Sequence, residues 1–356
     1  MTMRANALSS RERVRLALAH QTPDRVPIAL ICSGINEPVR TAVDARLRAE
    51  RGVTLDAWLD EMLDVAQIGA PYIGPALPAG VDIWGVRRVP VSFGAESYSE
   101  IVHHPLAAAR TVADLAAHPW PTPALFDYAA LPRIVAESRR HRDRALMIAN
   151  ANPFESAWYL RGLEQAYVDM VENPDFLHAL MARVTDFHAA HFERLLSAAP
   201  GEIDLAFTAD DIGGQSGLLL SLDMWREFIR PHHVRLNRLI HGFGAKVVYH
   251  NDGAVMEAVP ELIEAGIDVL QALQFDAAGM DPDRLKREHG DRLAFCGGVS
   301  VQRTLPFGSP AQVREEVRQR VSVLGAGGGY ILGPSHAIQA GTPVENVLAF
   351  FDAALG

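Results

Sequence analysis

The residues best placed to do chemistry in this 356-residue chain are histidines, carboxylates and thiols at the ends of short apolar runs. His250 and Asp252 stand two apart in YHNDG. On a strand that spacing puts both side chains on one face. A His-x-Asp pair near a further His or Cys can hold a divalent metal, and zinc suits mixed N, O and S donors. Cys296 and His336 are the candidate third and fourth ligands. The alternative is a hydrogen-bonded acid–base His with an Asp partner and no metal. Asp210 and Asp211, in FTADDIGGQSG, read as substrate-binding or proton-transfer carboxylates beside a glycine-rich loop. The alternative is an N-cap or Asx turn closing a strand, and a functional role is favoured for at least one of the two. Successive strand residues point to opposite sides, so one of the two should face inward. Asn150, Asn152, Gln271 and Gln274 are candidate substrate-binding groups, or ordinary polar residues at loop starts. Cys32 reads as a buried structural thiol.

These residues need elements that bring them together. Ser9 and Glu12 have capping-box spacing, which starts a helix over Ser10–His20. Val26–Cys32 is a continuous apolar run with the length of a buried strand, and a weaker strand is expected near Ala66–Tyr72. The Pro- and Gly-rich stretch Pro71–Gly80 suggests an insertion or lid within a region of mixed helix and loop that ends near Pro123. From residue 145 six apolar runs alternate with longer amphipathic stretches: Leu146–Ala149, Ile203–Thr208, Lys246–His250, Val269–Ala272, Leu293–Cys296 and Tyr330–Leu332. Such alternation implies parallel strands with right-handed crossovers. Eight strands predict a single (β/α)8 TIM barrel over residues 1–356, with residues 1–24 as an N-terminal helical extension. A doubly wound open sheet is the rival, but no GxGxxG opens a helix after a strand. In a barrel, chemistry gathers where strands end, and the residues above sit there. Gly325–Gly329 precedes a strand, so it reads as a tight turn into the last strand and not as a phosphate cradle.

Composition narrows the function. A net charge of −10 disfavours nucleic acid and anionic membranes as partners. No apolar run is long enough to span a bilayer, and the first twenty residues lack the apolar core of a signal peptide. Two cysteines fit a reducing, cytoplasmic setting.

Four segments carry a resemblance: RERVRLALAHQTPDRVPIAL, YHNDGAVMEAVPELIEAGIDVLQALQ, GDRLAFCGGVSVQRTLPFGSPAQVREEV and GGGYILGPSHAIQAGTPVENV. They resemble the uroporphyrinogen decarboxylase superfamily from about Ser10 to Ala354. The resemblance implies a (β/α)8 barrel, often dimeric, and one of two activities. True decarboxylases use no cofactor and carry an arginine-rich segment after the first strand for substrate carboxylates. Here IALICSGINEPVR has no arginine before Arg40. The other group comprises methyltransferases that work with a corrinoid protein and commonly bind zinc. Thiol-methylating members resemble His-x-Cys with a later Cys, where this chain has His250-x-Asp252 and His336. That replacement favours members that take a methyl group from a small methoxylated or methylated compound. The expectation is therefore a methyltransferase or demethylase with zinc at His250, Asp252, Cys296 and His336, and cobalamin on a partner protein. The alternative is a cofactor-free decarboxylase of a smaller acid, with His336 and Asp210 or Asp211 as proton donors.

Overall fold

The computed structural model describes residues 8–32, 34–93 and 96–356. Its strands are β1 (Val65–Ile68), β2 (Arg87–Phe93), β3 (Glu96–His103), β4 (Ala145–Ala151), β5 (Leu205–Ala209), β6 (Lys246–Asn251), β7 (Val269–Ala272), β8 (Ala294–Val299) and β9 (Tyr330–Pro334). Seven of them form one curled parallel sheet in the order β1-β4-β5-β6-β7-β8-β9. The six runs expected from residue 145 onward correspond to β4 to β9, and β1 overlaps the start of the region expected for a weaker strand. β5 and β7 to β9 are buried along their whole length, which is why they read as unbroken apolar runs.

Val26–Cys32 is not a continuous strand. Only Ile28 forms an isolated parallel bridge, to Leu332 of β9. Ala29 N–H donates to the Leu332 carbonyl at 2.9 Å, and Leu332 N–H donates to Pro27 at 2.8 Å. On the other side, Asp64 N–H donates to the Ile28 carbonyl at 2.8 Å. The segment stops there because Cys32 turns to φ 66°, a left-handed conformation that breaks an extended run.

A repeated device lines the starts of the strands. Asp64, Asp204 and Asp268 each directly precede or lead into a strand. Each backbone N–H donates to a carbonyl of the neighbouring segment: Ile28, Leu146 and Val247 respectively. Each carboxylate accepts the N–H of that same residue, at 2.9, 3.0 and 2.8 Å. Ile28 thus stands to β1 as Leu146 of β4 stands to β5, and as Val247 of β6 stands to β7. The helix Ser10–Leu18, started by the expected Ser9–Glu12 capping box, supplies cations to this rim. Arg13 and Arg25 pair with Asp64, while Arg11 and Arg15 pair with Asp204. Val14 of the same helix joins the inward-facing layer of Val65, Met147, Phe207, Val248, Val269, Cys296 and Ile331.

Helices cover the outer face. The pair Asn173-Pro174 starts the helix Pro174–Ala198, but the Asn173 amide donates to the Arg110 carbonyl and does not cap. In the turn before β9, a Cβ at Gly328 would lie 2.5 Å from the Gln21 carbonyl oxygen, so close packing against the N-terminal segment requires glycine. The insertion is a closed excursion. Tyr72 and Phe126 bridge its two ends, Asp127 N–H donates to Pro71, and β2 pairs antiparallel with β3 inside it. Among the described residues no helix is long and apolar enough to cross a membrane.

Candidate functional site

β6 and β7 carry the site directly above the inward-facing layer. Val248 and His250 lie on one face of β6, and Val269 and Gln271 on one face of β7. His250 is paired in register with Gln271. Its Nδ1–H donates to Gln271 Oε1 at 2.5 Å, since an amide oxygen can only accept. This fixes the tautomer and leaves the Nε2 lone pair free toward the cavity.

Two donor groups share His250. In each, the ligand atoms lie within 4.8 Å of one another: Cys32, His250 and His336 in one, Asp211, His250 and Asp252 in the other. His250 Nε2 is 3.8 Å from Asp211 Oδ1, His336 Nε2 is 3.9 Å from Asp252 Oδ2, and Cys32 Sγ is 3.4 Å from His336 Nε2. Two ligands on one tetrahedral zinc, with bonds of about 2.0–2.3 Å, lie about 3.3–3.8 Å apart. The donors are therefore spaced to share an ion with small side-chain adjustment.

Electrostatics follow from burial and crowding. Burial, with Asp252 and Asp211 nearby, pushes the Cys32 thiol up to about 12. Burial lowers His336, opposed by Asp252. Burial raises Asp211, opposed by His250 and reinforced by Asp252. A divalent cation would reverse this balance by favouring the anionic donors and the neutral imidazoles.

Asp210 and Asp211 diverge as strand alternation requires. Asp211 joins the donors and accepts from Asp252 N–H at 2.7 Å. Asp210 is fully buried on the other side. It accepts from the N–H groups of Phe154 and Glu155 at 3.0 and 2.7 Å, and from His233 Nε2 at 2.6 Å. It thus holds the N-terminus of the helix Pro153–Arg161, a favourable place for an anion. Asp210 positions that helix and does not point at the donors.

The other expected residues separate clearly. Asn152 donates from Nδ2 to Glu155 Oε2 at 2.8 Å and accepts from Ser156. Gln274 accepts from Gly253 N–H at 2.8 Å. Asn150 is exposed at the end of β4. Cys296 belongs to neither donor group. It lies in the apolar inward-facing layer, its thiol pushed up to about 12 by burial. Cys32, read from sequence as structural, occupies the thiol position beside His336 instead.

Glu155 was not signalled by the sequence, because an acid in a first helical turn reads as a partner for the helix dipole. Its Oε2 accepts from Asn152 and from Tyr159 OH, at 2.8 and 3.1 Å. Burial raises its carboxyl, and Asp211 raises it further. Two cavities flank the site. One, of about 310 Å³, is polar and bounded by Asp252, Gln274, Ser335, His336 and Gln339. The other, of about 530 Å³, lies between the insertion and the helix Pro153–Arg161. Among the described residues Arg88 is the only Arg or Lys lining either, and it is ion-paired with Asp82 at 2.6 Å.

Comparison with known proteins adds a family. A model described as uroporphyrinogen decarboxylase (URO-D) matches residues 89–355. A methylated-thiol–coenzyme M methyltransferase of Methanosarcina mazei is 29% identical over 198 residues, covering 56% of this chain and 49% of that protein. A uroporphyrinogen decarboxylase of Coxiella burnetii is 23% identical over 190 residues, covering 52% of this chain and 48% of that protein. The chain thus matches about half the length of each of these curated relatives. A solved structure described as a methyltransferase from Methanosarcina mazei superposes with a TM-score of 0.68 at 20% identity, covering 98% of both chains, and shares the fold.

Proposed function

The chain belongs to the uroporphyrinogen decarboxylase (URO-D) family, and we propose that within it the protein is a methyltransferase. It moves a methyl group from a small methylated compound to a corrinoid carried by a separate protein. The observation that carries this reading is the charge of the site. Asp211, Asp252 and the half-buried Glu155 surround His250, while Arg88, the one lining cation among the described residues, is already neutralised by Asp82. A porphyrinogen with several carboxylates needs unpaired cations to offset their desolvation, and among the described residues these cavities offer none. The similarity to a methyltransferase of Methanosarcina mazei supports the same choice.

The donor set fits a zinc ion, held by His250 with Cys32 and His336, or with Asp211 and Asp252. Catalytic zinc keeps an open position, so three protein ligands suffice. Zinc so held supplies Lewis acidity to the heteroatom that releases the methyl group. The protein's own residues do the rest. Gln271 orients His250, Asp210 fixes the helix that presents Glu155, and Asp211 secures the loop after β6 through Asp252 N–H. Asn152 and Gln274 reach substrate only at the cavity edges, since each is already hydrogen-bonded within the protein. The matched geometry of Asp64, Asp204 and Asp268 supports a closed barrel, with the segment around Ile28 as its eighth stave, and one domain throughout.

The test is to incubate the zinc-loaded protein with reduced cobalamin and a panel of methyl ethers, thioethers and amines, following methylcobalamin by absorbance. Formation that depends on one donor and is lost in His250→Ala supports the reading. No methylcobalamin from any donor, together with carbon dioxide release from a small acid, replaces it with decarboxylation.

A further inference from the structure

The polar cavity of about 310 Å³ beside Asp252 and His336 is built by three neighbouring strands. Gln274 comes from the segment after β7, Val301 from the segment after β8, and Ser335 from the segment after β9. Two of these groups are buried donors without acceptors. Gln274 is 6% exposed, and its Oε1 takes the Gly253 N–H at 2.8 Å. That bond fixes which end of the amide is oxygen, and Nε2 meets no acceptor among the described residues. Ser335 is 2% exposed, and its Oγ accepts from Val301 N–H at 3.4 Å. Its O–H has no acceptor among the described residues either. Both side chains line the cavity, and donors buried to this degree are costly unless an occupant accepts from them. The backbone is also spent on this corner. Leu273, directly before Gln274, holds φ 61°, a left-handed conformation that is costly for a residue with a Cβ.

The lining narrows the occupant. Among the described residues no Arg or Lys borders the cavity and Asp252 does, so an anionic ligand has no partner there. Gln274 and Ser335 follow strands two apart in the sheet, a backbone separation of roughly 9–10 Å, so one ligand oxygen is poorly placed to serve both. Val301, 8% exposed, adds an apolar surface between them. The matching molecule is neutral and carries several separate hydroxyls. Its oxygens accept from Gln274 and Ser335, one O–H donates to Asp252, and its C–H face lies on Val301.

We propose that this cavity binds a neutral polyol, a sugar-like molecule with hydroxyls on neighbouring carbons, held by Gln274 Nε2–H, Ser335 O–H and the Asp252 carboxylate. Binding of this kind needs neither an ion nor methyl transfer. Gln302, exposed at the rim, offers a further amide to a hydroxyl near the mouth.

The experiment titrates the full-length protein, as purified, with myo-inositol and follows binding by calorimetry and saturation-transfer NMR. Saturable binding is expected, with a dissociation constant of about 0.1–10 mM. Cyclohexanol keeps the ring with a single hydroxyl and should bind about tenfold or more weakly. D-Glucuronate should lose a similar factor, because its carboxylate is stripped of water without a cationic partner. Ser335→Ala removes one donor and should weaken myo-inositol about threefold to tenfold. Gln274→Glu keeps an acceptor for Gly253 N–H but turns the free donor into an acceptor, and should cost about tenfold or more. Both variants should melt as the wild type does. If either melts lower, Gln302→Leu takes its place, since an exposed rim residue can change without disturbing the fold, and should cost about threefold. Absence of saturable binding, equal affinity for cyclohexanol or glucuronate, or unchanged affinity in all three variants overturns the assignment. Saturable binding of acetamide with none of myo-inositol overturns the polyol class. If a methyl donor gives methylcobalamin while no polyol binds, the cavity assignment fails and the methyl-transfer reading stands. If myo-inositol binds and no donor methylates cobalamin, the cavity assignment stands and the methyl-transfer reading fails.

Discussion

Gln271→Leu isolates the contribution of a residue that touches no ion. Its Oε1 takes the Nδ1–H of His250 at 2.5 Å in a site where His250 is 5% exposed. Leucine is close in volume but accepts nothing. Two costs follow. The buried Nδ1–H loses its partner, which destabilises the fold by about 1–3 kcal/mol. The imidazole is also free to carry its proton on Nε2, the nitrogen facing Asp211 and His336, and in that tautomer it cannot ligate. Removing such an outer partner typically weakens metal binding about 10–100-fold, or roughly 1.4–2.7 kcal/mol. Competition with a chromogenic zinc chelator at pH 7.5 measures this directly, with urea melts to subtract the stability term. Gln271→Glu keeps an acceptor on Nδ1–H and should retain most of the affinity. If Gln271→Leu is folded and binds zinc as tightly as the wild type, His250 does not ligate through Nε2, and the metal reading of the site falls.

Other outcomes follow from the same geometry. With cobalt in place of zinc, Cys32→Ser should abolish a thiolate charge-transfer band while Asp211→Asn leaves it, if the ion sits with Cys32, His250 and His336; the reverse assigns it to the carboxylate group. Asp210→Ala removes the acceptor for two helix N–H groups and His233, and should cost about 3–5 kcal/mol in a denaturant melt. Acid should destabilise the protein below about pH 6.5. Burial lowers His188 to about 3, and His191 and His232 to about 4, so the unfolded chain takes up protons first. Stability contributed by these neutral rings is complete above their unfolded value and is lost as pH falls toward 4, at most about 2 kcal/mol each by pH 5; melts of a His188→Gln, His191→Gln double variant should flatten that slope.

The sequence read most clearly where burial is two-sided. β4 to β9 are apolar because helices cover one face and the sheet interior the other, so length and composition sufficed. β2 and β3 were missed because their hairpin is largely solvated, and Pro90 within it argues against a strand. Strand alternation separated Asp210 from Asp211, but sequence could not say that the outward one would hold a helix 55 residues away. The two cysteines exchanged roles for a geometric reason. Cys296 lies within β8 among apolar neighbours, whereas Cys32 follows the last bridging residues and its left-handed backbone turns it toward His336. Nothing in a one-dimensional pattern reports that turn. Glu155 was hidden by the ordinariness of an acid at a helix start.

The carboxylates below the strands bear on the order in which the protein comes together. Asp64 and Asp204 become buried when β1, β4 and β5 pair; Arg142 and Arg139 come from the segment before β4, but Arg11, Arg13, Arg15 and Arg25 arrive from the chain's first helix and the turn after it. The contact from Arg11 to Asp204 spans 193 positions. Until that helix docks, Asp64 has Arg142 and Asp204 has Arg139, but most of their counterions are missing, a state that low polarity makes costly. The helix therefore works as a latch that only a nearly finished sheet can receive. A chain trimmed through Arg15 should not give a smaller working enzyme, but one whose sheet opens from the end opposite the chemistry.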